Sequence, residues 1–220
     1  MGEPLHQTGL GRTQIDTGHA DLGKSKFPGP FANTGQQLMR IDLSAAERHP
    51  PIVGTAPRGE NRAILRHWPD EAATAAFARR LAASPALRDA YIELHGDLGT
   101  GKTSFVRHLL RALGVAGRVK SPTFAVVEHY RAPIPPSAAF DIWHFDFYRF
   151  ADPREWEDAG FRDLFARPGL KLAEWPDKAA GMLPRADLAL HIDLQDHGAR
   201  AVRCLAGTPT GDALLEAVTP

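Results

Sequence analysis

The sequence predicts an α/β fold, a three-layer sandwich with a central mixed sheet flanked by helices, on the basis of three observations. From residue 62 onward, segments with the apolar spacing of strands alternate with segments that have the spacing of helices. At residues 90–114 a glycine-rich turn joins an apolar strand to an amphipathic helix. Near the carboxyl end, residues 186–195 and 199–207 have the pattern of two strands that form a terminal antiparallel hairpin.

The elements before the glycine-rich turn are a strand, a helix and a second strand. Residues 62–68, RAILRHW, are predicted to form the first strand. Pro69 and Asp70 then begin a helix whose first turn contains Asp70 and Glu71, acids that suit the positive end of the helix dipole. Residues 90–95 are predicted to form the strand that leads into the turn.

Further strands and helices follow the turn. The helix that begins near Lys102 keeps apolar residues at helical spacing until Gly114 ends it. The other predicted elements before and after the hairpin are a strand at Thr123–Tyr130, a loop at 133–138, a strand at 139–150, one or two short helices at 151–165, a strand at 169–176 and a final helix at 212–218. Strands and helices thus alternate along most of this region, as an α/β sandwich requires.

Composition divides the chain into two regions. The first 60 residues contain nine glycines and six prolines with few large apolar side chains, so they cannot bury enough apolar surface to offset the entropy lost on ordering. We predict a disordered extension at residues 1–61 and one folded domain at residues 62–220. Met39 leaves a second interpretation open, in which translation starts there and the preceding residues are not part of the natural protein.

Charge, cysteine content and hydropathy exclude several classes of protein. The chain has 26 lysines and arginines and 26 aspartates and glutamates, so its formal net charge is zero. Net charge therefore does not predict binding to nucleic acid or to an anionic membrane. Cys204 is the one cysteine of the chain, which excludes an internal disulfide and a cysteine-based zinc cluster. No apolar run reaches membrane-spanning length, and the amino terminus lacks the apolar segment of a signal peptide. These features predict a cytoplasmic protein with no membrane partner.

The glycine-rich turn matches a phosphate-binding loop, or P-loop. Gly96, four further residues, Gly101, Lys102 and Thr103 reproduce the pattern G-x-x-x-x-G-K-[ST], placed between a strand and a helix as the motif requires. Backbone N–H groups from Leu98 to Lys102 are expected to surround a β-phosphate at the positive end of the helix. Lys102 adds a charge for the β- and γ-phosphates, and the hydroxyl of Thr103 can bind Mg²⁺. The sequence therefore predicts a P-loop NTPase-like domain.

Two acids near predicted strand ends are candidates to complete this site. Asp146 lies near the end of the aromatic strand, and Glu174 lies at the end of the apolar strand that follows. In α/β sheets, ligands bind beyond the carboxyl ends of the strands, where both acids would lie. Asp141 is a rival to Asp146, and each acid could instead be an ordinary solvated or ion-paired carboxylate. Similarly, Ser121–Thr123 is either a switch that senses the phosphate or a simple proline turn.

Several functional classes share a P-loop, and the remaining residues help to separate them. The spacing of His129, His144 and His191 does not match a metal site, so we interpret them as structural or surface residues. A small-molecule kinase should carry a substrate-binding insertion and an arginine-bearing lid, and the sequence after Thr103 offers no clear one. The guanine-reading motif of a GTPase, N/T-K-x-D, is absent from the sequence. A slow ATPase and a binding module without turnover both stay open.

Taken together and in order, several segments resemble the TsaE (YjeE) family of bacterial tRNA threonylcarbamoyladenosine biosynthesis ATPases. These segments span about residues 62–206 and are GDLGTGKTSFVRHLLRALG, VKSPTFAVVEHY, HFDFYR, ADPREWEDAGFRDLF, LAEWPDKAAGMLP and LALHIDL. The resemblance implies a cytoplasmic Mg²⁺-dependent ATPase that works with two partner proteins, TsaB and TsaD. Together they would place a threonylcarbamoyl group on the adenosine beside the anticodon in tRNAs that read ANN codons, so that tRNA is contacted through the complex.

The resemblance also implies which residues form the site. The residues that would bind ATP through its phosphates are Gly99, Thr100, Gly101, Lys102, Thr103 and Ser104. Thr103 and Glu174 would hold Mg²⁺. Lys102 and Asp146 would be the catalytic residues, with Asp146 acting near the metal and the γ-phosphate.

Two further regions would lie near the bound nucleotide. Trp175 and the helix start at Asp70 and Glu71 would lie near the base, and Ser121–Thr123 would resemble a switch. The amino-terminal extension falls outside the family pattern and receives no role. Neutral net charge agrees with the resemblance, because a protein that held tRNA alone would be expected to show a basic stripe.

Overall fold

A mixed β-sheet forms the centre of the computed structural model, which describes residues 62–133 and 139–219. In these residues the strands are β1 (Ala63–Trp68), β2 (Tyr91–His95), β3 (Val127–Ala132), β4 (Phe140–Asp146), β5 (Leu170–Glu174), β6 (Leu188–Leu194) and β7 (Arg200–Ala206). Their order across the sheet is β1-β7-β6-β2-β5-β4-β3. The inner strands β6, β2, β5 and β4 are parallel, whereas β7 and β3 run antiparallel to their neighbours.

Helices cover both faces of this sheet. They are α1 (Glu71–Ala82), α2 (Lys102–Ala112), α3 (Pro153–Asp158), α4 (Phe161–Ala166) and α5 (Pro209–Val218). α1, α2 and α5 share one apolar core with the sheet, in which Phe105 of α2 and Leu215 of α5 are fully buried. On the other face, the ring of Phe165 in α4 lies 4.8 Å from the ring of Phe145 and 5.0 Å from that of Tyr91. The predicted three-layer α/β sandwich is confirmed.

Most of the predicted elements are present. The terminal hairpin is confirmed, because β6 and β7 pair in antiparallel register from Leu188 opposite Ala206 to Leu194 opposite Arg200. The strand before the P-loop and the helix after it also occur where the sequence predicts them. β1 pairs with the other edge of β7, which the hairpin pattern alone does not reveal.

The strand predicted at Thr123–Tyr130 is wrong in its first half, because β3 begins at Val127. The preceding residues form a turn in which the N–H of Val126 donates to the carbonyl of Pro122 at 2.6 Å. Val126 has a left-handed backbone with φ of 64°, which is incompatible with a strand. The β-branched and aromatic residues favoured a strand. The turn forms instead because two of its hydroxyl groups donate to Asp146, and these hydrogen bonds hold the turn in place.

Two other predicted boundaries also differ from the structure. β4 ends at Asp146 rather than at residue 150, because the chain turns and the N–H of Phe150 donates to the carbonyl of Phe147 at 2.9 Å. α5 begins at Pro209, before the predicted start at residue 212, because the hydroxyl of Thr208 accepts an N–H of the first turn as an N-cap. Side-chain capping therefore sets the start of this helix.

Part of the prediction lies outside the described residues. This applies to the disordered extension at residues 1–61 and to most of the loop at 133–138. Within the part of the chain that the structure describes, no helix is both long enough and apolar enough to cross a membrane.

The strand order determines which loops can meet. β2, β5 and β4 are adjacent and parallel, so their carboxyl ends lie side by side at one edge of the sheet. The P-loop follows β2, Glu174 ends β5 and Asp146 ends β4. This edge therefore brings together the predicted phosphate-binding loop and both predicted acids.

Candidate functional site

The P-loop requires its glycines for backbone geometry. Gly96, Gly99 and Gly101 have φ of 133°, 85° and 107°, in a region that other residues rarely adopt. A Cβ atom on Gly96 would also lie 2.3 Å from the carbonyl oxygen of Ile192 in β6. α2 begins directly after this loop, at Lys102, so its unpaired backbone N–H groups and its positive dipole end are available to a phosphate.

Two polar contacts brace the loop. Thr100 is buried, and its hydroxyl donates to the carbonyl of Asp97 at 3.0 Å. From the start of β7, Nε of Arg200 donates to the carbonyl of Thr100 at 3.3 Å, while Nη1 donates to the carbonyl of Gly198 at 2.7 Å. Sequence reasoning missed Arg200, because it is separated from Thr100 by 100 residues in the chain and belongs to no motif.

Lys102 lies buried against the loop, with its ammonium group held by neutral partners. Nζ donates to the carbonyls of Gly96 and Asp97 at 2.6 and 2.8 Å, and it lies 4.0 Å from the centroid of the Trp175 ring. Burial lowers the pKa of Lys102, while three nearby carboxylates act in the opposite direction. The direct partners of the ammonium group are therefore two carbonyls and an aromatic ring.

Thr103 and Glu174 contact each other across the edge of the sheet. Glu174 lies opposite Leu94 of β2, so the end of β5 reaches the first turn of α2. The hydroxyl of Thr103 lies 2.8 Å from Oε1 and 3.0 Å from Oε2 of Glu174, which is 2% exposed. One hydroxyl and one carboxylate fit Mg²⁺, which prefers oxygen ligands and is often completed by substrate phosphates and water.

No group of three or more His, Cys, Asp or Glu side chains that could bind a metal by itself occurs in residues 62–133 and 139–219. A site made of Thr103, Glu174 and a phosphate group is consistent with this finding, because Mg²⁺ is commonly bound through only one or two carboxylates. The residues present therefore fit Mg²⁺ together with a nucleotide.

Asp146 lies one strand farther from the P-loop, opposite Glu174 in the register of β4 and β5. Its buried carboxylate accepts from the hydroxyl groups of Ser121 and Thr123 through Oδ2, the second at 2.7 Å. Oδ1 accepts from the N–H of Tyr148 at 2.9 Å. The carboxylate thus connects the Ser121–Thr123 turn to the end of β4.

The residues expected near the base lie at the same edge of the sheet. The ring of Trp175, whose backbone is left-handed with φ of 58°, lies 5.0 Å from the ring of Tyr148. Asp70 is the N-cap of α1, and its side chain accepts an N–H of the first turn at 2.8 Å. Glu71 lies 2.9 Å from Nε2 of His108 in α2. The start of α1 therefore faces the helix that carries the P-loop residues.

The side chains of two other residues considered from the sequence contact residues that are not predicted site residues. Asp141, the rival of Asp146, lies near the start of β4, where its 44% exposed side chain is 2.8 Å from Nε2 of His129. Five residues of an extended strand place it roughly 16 Å from Asp146. The hydroxyl of Ser104 accepts from Nη1 of Arg107 at 3.4 Å, within α2 itself.

His144 makes a contact that sequence reasoning did not anticipate. It is fully buried in β4, and its Nε2 lies 2.9 Å from Oε1 of Glu174. The two residues are 30 positions apart in the chain, and no sequence motif connects them. The contact adds His144 to the pair formed by Thr103 and Glu174.

Comparison with known proteins assigns the chain to one family. Residues 68–202 match the family model described as "Threonylcarbamoyl adenosine biosynthesis protein TsaE". The chain belongs to the TsaE family. The matched segment contains the P-loop, both acids, His144 and Arg200, so the TsaE family match covers the whole cluster described above.

Individual TsaE proteins agree with this assignment, and one solved structure agrees with the fold. The tRNA threonylcarbamoyladenosine biosynthesis protein TsaE of Haemophilus influenzae is 43% identical over 126 residues, which cover 57% of this chain and 76% of that protein. The Bacillus subtilis protein of the same name is 36% identical over 101 residues, 46% of this chain and 60% of that one. The crystal structure of Bacillus subtilis YdiB aligns with a TM-score of 0.59 at 23% identity, covering 73% of this chain and 97% of YdiB, and supports the α/β fold.

Proposed function

We propose that this TsaE family member is a cytoplasmic Mg²⁺-dependent ATPase that works with TsaB and TsaD. The joint reaction is threonylcarbamoylation of the adenosine beside the anticodon in tRNAs that read ANN codons, with tRNA contacted through the complex. The observation that carries the proposal is the contact between Thr103 and Glu174 beside the buried Lys102, because it collects phosphate-binding and Mg²⁺-binding groups at one P-loop. Family membership supports the role in tRNA modification.

Phosphate binding begins with the backbone of the P-loop. The N–H groups at residues 98–102 surround the β-phosphate at the start of α2. Lys102 would exchange its bonds to the carbonyls of Gly96 and Asp97 for bonds to oxygens of the β- and γ-phosphates. Phosphate oxygens carry negative charge and backbone carbonyls do not, so the ammonium group gains attraction between opposite charges in this exchange, which favours the bound nucleotide.

Thr103 and Glu174 are the residues that would hold Mg²⁺ beside the phosphates. When bound, Mg²⁺ supplies positive charge that stabilises the negative charge developing on the transferred phosphoryl group. The contribution of the chain is to orient the ligands, since Glu174 is buried and its carboxylate contacts both the hydroxyl of Thr103 and Nε2 of His144.

Asp146 would act near the γ-phosphate, and its contacts support the expectation that hydrolysis is slow in the protein alone. Its Oδ2 is occupied by the hydroxyl groups of Ser121 and Thr123. Arg149, the nearest arginine along the chain, lies over the exposed ring of Phe124, 4.1 Å from its centroid. A partner that rearranged this turn, or supplied a missing group, could raise the rate by about 10³- to 10⁵-fold.

The test combines ATP hydrolysis with tRNA modification, both measured with and without TsaB and TsaD. We expect slow hydrolysis by the protein alone, faster hydrolysis with the partners, and modified adenosine only when all three proteins are present. The variant Lys102→Met should support neither reaction. Fast hydrolysis that partners do not change, without support of modification, would contradict the proposal, and transfer of labelled γ-phosphate to a metabolite would indicate a small-molecule kinase instead.

A further inference from the structure

We infer that His144 is a positioning residue for Glu174, whose carboxylate it holds in the orientation that Mg²⁺ binding requires. The inference rests on the proposed function, in which Glu174 is a metal ligand. It gives a role to a buried histidine whose spacing from the other histidines indicates no metal site of its own.

Neighbouring parallel strands place the two side chains next to each other. In the register of β4 and β5, His144 lies opposite Leu172 and Asp146 lies opposite Glu174. Because side chains two residues apart in a strand share a face, His144 and Glu174 lie on the same face of the sheet. Nε2 of His144 is 2.9 Å from Oε1 of Glu174, and the two side chains are 0% and 3% exposed.

Packing alone does not explain a histidine at this position. Nε2 carries the hydrogen of the contact, because an ionised carboxylate only accepts. Nδ1 has no hydrogen-bond partner among the described residues, although it is buried. A buried polar atom without a partner costs free energy, and an apolar side chain such as those of Ile142 and Leu172 would avoid that cost. The hydrogen bond to Glu174 is what the histidine adds.

Thr103 cannot orient the carboxylate by itself. Its hydroxyl has a single hydrogen, which lies between Oε1 and Oε2 of Glu174 at oxygen distances of 2.8 and 3.0 Å. Its oxygen is also the other proposed Mg²⁺ ligand. The N–H of His144 would hold Oε1 whichever way that hydroxyl points, and would leave Oε2 for Mg²⁺. Hydrogen-bond partners of metal ligands typically change metal affinity by about 10- to 100-fold.

Three substitutions of His144 separate this role from packing. His144→Phe keeps a planar ring without the donor, and His144→Leu is a second variant without a donor in case the first does not fold. His144→Gln is the matched control, because its amide nitrogen can donate from near the position of Nε2. Thermal unfolding identifies the folded variants, and calorimetry then measures ADP binding at increasing Mg²⁺ and in EDTA.

The expected result is a change in the metal requirement alone. Mg²⁺ is expected to strengthen ADP binding, and the Mg²⁺ concentration at which half of this effect is reached should be about 10-fold higher or more in the Phe or Leu variant than in the wild type. ADP affinity in EDTA should be the same in the variants and the wild type. His144→Gln should restore most of the wild-type value. An unchanged Mg²⁺ midpoint, an equal loss in EDTA, or a Gln variant as impaired as the Phe variant would overturn the positioning role.

A measurement without metal or nucleotide distinguishes failure of this inference from failure of the proposed function. In protein labelled with ¹⁵N-histidine, His144 should show hydrogen on Nε2, and Glu174→Leu should shift that signal. If the signal does not change, the contact itself is wrong and the inference is overturned. If the contact is present but wild-type ADP binding does not depend on Mg²⁺, the proposed metal site fails, and the role of both residues in metal binding fails with it.

Discussion

The substitution Lys102→Met removes a buried ammonium group while it keeps an unbranched side chain of similar length. In the structure this group donates to the carbonyls of Gly96 and Asp97 and lies against the ring of Trp175. Hydrogen bonds from a charged donor contribute about 1.5–3 kcal/mol each. Burial of the charge, which lowers the pKa of Lys102, offsets much of this contribution. We therefore expect the free energy of unfolding to change by no more than about 1 kcal/mol.

The effect of Lys102→Met on nucleotide affinity should be much larger. In the complex, the ammonium group is expected to donate to phosphate oxygens, and methionine cannot replace any of these bonds. Loss of one charge-assisted hydrogen bond of about 1.5–3 kcal/mol weakens binding by about 10- to 150-fold, and loss of two weakens it further. Affinity should therefore fall while stability is nearly retained.

Lys171 provides a matched control within the same chain. It is also buried, its Nζ also donates to a backbone carbonyl, that of Arg167, and burial also lowers its pKa. It lies opposite Tyr91, at the start of β2, whereas the P-loop follows the other end of that strand. Lys171→Met should leave ADP affinity within about twofold of wild type. The reason is that the coupling free energy between distant sites is usually only about 0.3–0.5 kcal/mol.

Calorimetric titration with ADP, ATP and GDP measures these affinities, and chemical unfolding measures stability. The wild-type protein should prefer adenine nucleotides, since the sequence lacks the guanine-reading motif. Wild-type affinity in Lys102→Met, or an equal loss of affinity in Lys171→Met, would refute the assignment of Lys102 to the phosphates.

Three further predictions concern the loop, a histidine and the amino terminus. Gly96→Ala places a Cβ atom 2.3 Å from the carbonyl oxygen of Ile192, so it should cost more than about 2 kcal/mol in chemical unfolding, and wild-type stability would contradict the loop geometry. Burial alone would lower the pKa of His95, but its carboxylate neighbours, Glu93 first, raise it above 6.5 overall. The raised pKa stabilises the folded protein fully below pH 6.5, and this stabilisation is lost as the pH rises through the raised pKa. Glu93→Gln should therefore lower the pKa of His95 in an NMR titration and remove the pH-dependent part of the stability. Deletion of residues 1–60, which contain too few large apolar residues for a core, should leave the melting temperature and ATP binding unchanged, and a large loss of either would disprove the predicted disorder.

Features that depend on residues close together in the chain could be predicted from the sequence, whereas contacts between distant residues could not. The P-loop pattern depends on neighbouring residues, and the structure has the left-handed glycines and the helix start that the pattern requires. Glu174 and Asp146 could be proposed because apolar and aromatic runs indicate the two strands, although the predicted end of β4 lay four residues beyond Asp146. The strand predicted from Thr123 was wrong at its start, because hydroxyl groups in that turn bind Asp146 in another element and override the local preference for a strand.

By itself, the sequence determined the P-loop between β2 and α2, the terminal hairpin and the resemblance to one family, all of which depend on residues close together or on motifs read in order. Only the tertiary structure decided which distant groups meet. β5 lies between β2 and β4 although it follows both in the chain, and this order places Glu174 against Thr103 and His144. Arg200 reaches the P-loop from β7 in the same way. The physical reason is that strand order and register result from burying the apolar faces of the whole sheet, which no local pattern of residues specifies.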